Sequence, residues 1–160
     1  MNAALAVKGH SHMTKHLSDS SEQQEAEYYM LQQLEKRLGL RFNSGAVLPV
    51  SVGVQPDAID PINKVIVEVY ARVGAVKGAQ LHKIKGDILK LALIGTELGA
   101  EWRRIMCFAS DAAASYVQGK SWVAEAAKVF GVEVQVVQLP SEQQSRVMAA
   151  QTRQRMVNPS

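Results

Sequence analysis

The chain has 160 residues, 47% hydrophobic and 21% charged, which is enough for one buried core and too apolar for wholesale disorder. Its single cysteine, Cys107, excludes an internal disulfide and a multi-cysteine metal centre, and makes a reducing, cytoplasmic setting the expectation. The formal charge of +3 and the pI of about 9.1 allow a nucleic-acid partner without requiring one, because the basic residues are spread rather than clustered. The longest apolar stretch, Ile88 to Leu98, is broken by Lys90, Thr96 and Glu97, so no membrane span is expected. The first residues lack the order of charge, apolar core and cleavage site that marks a signal peptide.

Residues 1–19 show no sustained periodicity and read as a flexible arm. His10, His12 and His16 within it are better explained by a loose terminus than by a metal site. From Ser18 to Gly39 the spacing predicts a helix, with Met30, Leu31, Leu34 and Leu38 on one face. Val47–Val54 and its continuation to Asp60 read as strand, and Asp60-Pro61-Ile62-Asn63 as a turn. Lys64–Val73 alternates, setting Val65, Val67 and Val69 against Ile66, Glu68 and Tyr70. These segments predict a β-meander.

A long helix is expected over Val76–Leu98, with Ile84, Ile88, Leu91 and Leu98 facing the core. Arg104–Ala109 reads as a strand, Asp111–Tyr116 and Ser121–Phe130 as helices, and Val132–Leu139 as a last strand. A Gln- and Arg-rich helix follows Pro140. The expectation is a single α/β domain with a core over 20–139 and a polar C-terminal helix and tail over 140–160. In outline the order is αβββαβαβα, a central mixed sheet flanked by helices.

Three acids break the pattern around them. Glu27 falls near the centre of its helix's apolar stripe, where a carboxylate is costly unless paired. A helix entrance, where the dipole favours an acid, explains it equally well. Asp57 and Glu68 come together if the turn closes a hairpin pairing Ile59 with Lys64. Asp57 then faces Ile66, and Glu68 is its diagonal neighbour. Two such carboxylates repel, which is tolerable with a divalent cation between them. A solvated sheet face is the plainer alternative, and a one-residue slip would separate the pair. Asp60, before Pro61, is explained by the turn alone.

The long helix adds Gln80, Lys83 and Asp87 on adjoining positions, with Lys77 at its start. Lys83 and Asp87 are spaced to pair, and a solvated helix boundary is the alternative. No phosphate-binding glycine loop, dinucleotide fingerprint or nucleophile elbow occurs. Trp102 and Trp122 read as packing residues. Arg146, Arg153 and Arg155 read as a solvated face.

Pro56-Asp57, ten intervening residues and Glu68-Val69-Tyr70 follow an acid-bearing helix and precede a helix with Gln80 and Lys83. On these residues the chain resembles the PD-(D/E)XK nuclease superfamily, the restriction-endonuclease-like fold, over roughly 20–139. The resemblance implies a metal-dependent DNA endonuclease. It implies Mg²⁺ or Mn²⁺ held by Asp57, Glu68 and the Val69 carbonyl, with Glu27 completing the acidic shell. The family's lysine should stand where this chain has Tyr70, which is neutral at pH 7. Some members resemble this chain in drawing that lysine from the following helix, which points to Lys83, then Lys77, with Gln80 beside them. DNA is the implied partner, and a homodimer or larger complex is expected by analogy. A chain without a reachable lysine would instead be a catalytically degenerate interaction module for nucleic acid or protein. A small-molecule binding protein is a third class, disfavoured by the missing phosphate loop.

Overall fold

A computed structural model describes residues 10–157, with side chains from Ser20 onward. In chain order the elements are α1 (His10–Leu38), β1 (Ala58–Asp60), β2 (Val65–Tyr70), α2 (Ala79–Leu98), β3 (Arg103–Phe108), α3 (Asp111–Gln118), α4 (Trp122–Val129), β4 (Val132–Val136) and α5 (Ser141–Val157). The sheet runs β1-β2-β3-β4, with β1 antiparallel to β2 and the other two pairings parallel. The α/β class is as expected, but the element order differs. Among the described residues no helix is long and apolar enough to cross a membrane.

The sheet is a two-sided partition. Val65, Val67 and Val69 of β2 face α1 and α5, packing with Ala26, Met30, Leu34, Ile105 and Val147. Ile66 and Tyr70 face α2, α3 and α4, packing with Ile84, Ile88, Leu91, Met106 and Phe108. Both faces of β2 are therefore covered, which explains why all six of its residues are buried. Glu68 is the one charged residue among them, and it shares the side on which α2 lies.

Three expectations are corrected. No strand forms over Val47–Val54, so the meander reduces to a hairpin. Pro49 and Gly53, the latter at φ 68, interrupt that run, and its turns close through Val50 N to Leu48 O and Gly53 N to Val50 O. Helix α1 already includes His10, the first described residue, so residues 10–19 of the expected arm are helical. No glycine or proline lies between Gly9 and Gly39, and once a helix is nucleated it propagates through such a stretch. The side chains of His10, His12 and His16, and residues 1–9 entirely, lie outside the described residues. Finally, α2 starts at Ala79 rather than Val76, because Gly74 and Gly78 take φ 93 and 56, outside the helical region.

The hairpin is set by Asp60. Its buried carboxylate accepts from Arg41 N (2.8 Å), Ile62 N (3.0 Å), Asn63 N (3.0 Å) and Asn63 Nδ2 (2.7 Å). Burial pushes this carboxyl up, but the four donors more than offset that and hold it below the usual range. Asp60 is the turn's own cap, as its place before Pro61 implied.

Past β2 the chain is latched to α5. Gln151 accepts from Val73 N (2.7 Å) and donates to Val73 O (3.0 Å), while Arg72 Nη1 donates to Gln154 Oε1 (2.8 Å). Arg146 reaches α1 at Glu22 (3.5 Å). Trp102 packs against the core, whereas Trp122 is 70% exposed and so is not the packing residue expected. It opens α4 just after its cap, Ser121, and that position faces outward.

Gly95 of α2 sits directly on Arg104, whose guanidinium runs across the helix to Phe130 O (3.2 Å). A Cβ at position 95 would fall 1.6 Å from Arg104 Nε. Gly→Ala inside a helix ordinarily stabilises by about 1 kcal/mol. Here the clash is with the flexible, half-exposed end of Arg104 and not with backbone, so Gly95→Ala is expected to displace that side chain from Phe130 O and to forfeit part of the helix-propensity gain. Chemical denaturation reads the difference, and a full gain of about 1 kcal/mol would contradict this packing.

Candidate active site

The two acids are closer in register than expected. Ile59 pairs with Ile66 and Ala58 with Val67, so the same register carried one step further sets Asp57 directly opposite Glu68. The expected pairing of Ile59 with Lys64 is wrong by two residues. The loop takes in Lys64, at φ 55, beyond the four-residue turn. Because side chains alternate with period two, the shift preserves the face, and the acids still meet.

Their surroundings differ. Asp57 is exposed, and its Oδ2 accepts from Val69 N at 2.8 Å. Glu68 is 1% exposed, with Oε1 2.6 Å from Lys90 Nζ. Burial, then the charge of Asp57, pushes the Glu68 carboxyl up to about 8, with Lys90 pulling the other way. In a strand, a residue's N–H and C=O point to the same side, so the Val69 carbonyl also faces the β1 side. There the extended register places Pro56, which has no N–H to give.

Helix α2 supplies the cations. Lys83 and Lys90 lie two turns apart, with Asp87 between them. Lys83 Nζ is 2.8 Å from Asp87 Oδ2. Burial lowers the Lys83 ammonium, but Asp87, Asp57 and Glu68 outweigh it and hold the pKa above the ordinary value. Gln80, one turn earlier and half-buried, carries a buried Oε1 with no hydrogen-bond partner among the described residues.

Glu27 joins from α1. The buried stripe of this helix is Ala26, Met30 and Leu34, so Glu27 flanks it rather than centring it. It is half-buried and accepts from Gln23 Nε2 at 3.2 Å. Burial raises its carboxyl; the Gln23 bond lowers it, Asp57 raises it further and Lys83 lowers it. Glu27 therefore lies within the electrostatic reach of Asp57 and Lys83. Strand β1 stops short of this end of β2, where the Asp57 side chain, not a ladder partner, takes the Val69 N–H.

The structure thus brings together Glu27, Asp57, Glu68, Val69 and Lys83. Lys77 is not at the helix start but in the preceding loop, exposed and without an ion pair among the described residues. Tyr70 is a core residue packed on Phe108 (ring centroids 5.8 Å). Burial raises its hydroxyl, offset in part by Arg72 and Lys83. Lys90 was missed by sequence reasoning. Its signal was its interruption of the apolar run from Ile88 to Leu98, three residues after Asp87. Cys107 is buried, its thiol pushed up to about 12 by burial, and is chemically inert.

Among the described residues no three acidic, His or Cys side chains converge as a metal cage. A ligand set here would be two carboxylates and a backbone carbonyl completed by water, which suits Mg²⁺ rather than zinc. Charge balance fits as well. Glu27, Asp57, Glu68 and Asp87 form one electrostatic group with Lys83 and Lys90, and fully ionised it is two positive charges short. Comparison with protein-family models, curated proteins and solved structures finds no match to this chain.

Proposed function

We propose that the protein is a Mg²⁺- or Mn²⁺-dependent DNA endonuclease on a restriction-endonuclease-like, PD-(D/E)XK-type core, acting in the cytoplasm. The observation that carries this reading is the buried Glu68 opposite Asp57, with its pKa raised to about 8. A repulsive acid pair of which one member is buried is stabilised by a divalent cation, and such a cation is what phosphodiester hydrolysis uses.

Asp57, Glu68 and the Val69 carbonyl would hold the ion, which when bound supplies Lewis-acid polarisation of the phosphate and an acidified water. The chain's own residues do the rest. Glu27 extends the acidic shell through water. Lys83 faces the same acids and offsets charge developing on the phosphorus centre, and Asp87 fixes its ammonium. Gln80 offers its unpartnered amide oxygen to a water or substrate hydroxyl.

Asp57→Ala and Glu68→Gln should each abolish Mg²⁺ binding by calorimetry and metal-dependent nicking of plasmid DNA, with circular dichroism unchanged. A wild-type protein that binds no divalent ion would sink the proposal. The second reading, a catalytically degenerate interaction module, is favoured by Lys90, which already neutralises Glu68. Its signature would be salt-dependent DNA binding with neither metal uptake nor cleavage.

A further inference from the structure

Past Tyr70 the alternation of β2 continues. Ala71 and Val73 pack with Val69 on the side of α1 and α5, so Arg72 follows Glu68 and Tyr70 on the other side. The backbone after it is pinned. Gln151 takes both the N–H and the carbonyl of Val73, and Gly74 N donates to Ser110 Oγ (3.3 Å). The half-buried Arg72 guanidinium donates through Nη1 to Gln154 Oε1 (2.8 Å) and lies within reach of the Tyr70 hydroxyl. Both partners are neutral. Among the described residues no carboxylate lies within ion-pair distance of Arg72. Taking a guanidinium part-way out of water has a cost that an amide and a phenol only partly offset. A latch between this segment and α5 needs no charge, because Gln151 already makes one with its amide alone.

The position adjoins the acids. Arg72 and Gln23 line one small cavity between α1, α5 and the end of β2, and Gln23 bonds Glu27 (3.2 Å). The charges of Arg72 and Lys83 both act on the Tyr70 hydroxyl. We infer that Arg72 binds a backbone phosphate of DNA, next to the phosphate held at the carboxylates. This role rests on the reading of the chain as a protein that acts on DNA, and it gives that substrate a second anchor. Neutral partners leave the charge of Arg72 uncompensated, and its planar fork, with five N–H donors, suits phosphate oxygens. Gln154 is a positioning residue, which fixes the direction of the fork without neutralising it.

The full-length protein should bind a short fluorescently labelled DNA duplex in the absence of divalent metal, with an affinity that falls as salt rises. Arg72→Gln should weaken this binding about tenfold and lower the slope of log affinity against log salt by about one. Arg72→Lys keeps the charge and should keep the slope. Gln154→Ala should weaken binding at an unchanged slope, because the charge stays while its direction is lost. An unchanged slope in Arg72→Gln overturns the inference and leaves the nuclease reading standing. A slope lost equally in Arg72→Lys also overturns it, since the effect would then be structural. Cleavage plays no part in the measurement. A wild type that shows this pattern and never cuts DNA would end the nuclease reading alone, and a wild type that binds no DNA ends both.

Discussion

Lys83→Ala is expected to slow metal-dependent cleavage about 100- to 1,000-fold while leaving Mg²⁺ affinity nearly unchanged. That is the usual loss when a positioned cation is removed from a transition state. Lys83 keeps substantial exposure, with 41% of its side chain open, so its ammonium can meet a substrate phosphate. Lys90 is the contrasting case, with 24% open and 2.6 Å from Glu68. Removing it strands a buried carboxylate, so Lys90→Ala should act first on stability, by several kcal/mol at high pH where Glu68 cannot stay protonated. Single-turnover cleavage and denaturation of both variants separate the two roles. Equal rates for Lys83→Ala and wild type would remove Lys83 from the chemistry.

The metal-free protein is expected to lose stability as pH rises from 4.5 to about 8. Glu68 has its folded pKa raised from 4.5 to about 8, so within that window the folded state binds more protons than the unfolded one. Unfolding free energy therefore falls with pH, by up to about 1.4 kcal/mol per unit. The contribution is whole below 4.5 and gone above 8. Glu68→Gln should flatten the profile and melt higher than wild type at pH 8.5. Mg²⁺ needs the carboxylate, so its affinity should climb over the upper part of the same window by up to tenfold per unit. A wild-type melting temperature that increases between pH 6 and pH 8 would contradict the environment described for Glu68.

Periodicity carried far in this chain because the elements that hold the site are strongly patterned. The alternation from Val65 to Tyr70 and the helical face through Ile84, Ile88 and Leu91 both recur in the structure. The acids were legible as violations of those patterns. What was not legible depended on backbone conformation and tertiary contact. Lys64 at φ 55 moves the hairpin register, and Gly74 and Gly78 delay α2 past Lys77. Val47–Val54 has strand composition, yet Pro49 and Gly53 turn it into loop. Lys90 becomes a site residue only because α2 crosses β2 at Glu68, and no local rule encodes that crossing.

The placement of the charged groups also has a kinetic meaning. Asp57 and Glu68 are joined by a hairpin, and Lys83 and Lys90 follow on the next helix. Apart from Glu27, the cluster is drawn from one continuous stretch of chain with little loop to close. The repulsive pair can therefore meet early in folding, before β3 covers the other edge of β2, and α2 is the first later element able to compensate it. Refolding should consequently be slowed by losing Lys90 more than by losing Glu27, whose helix α1 docks from the opposite side of the sheet.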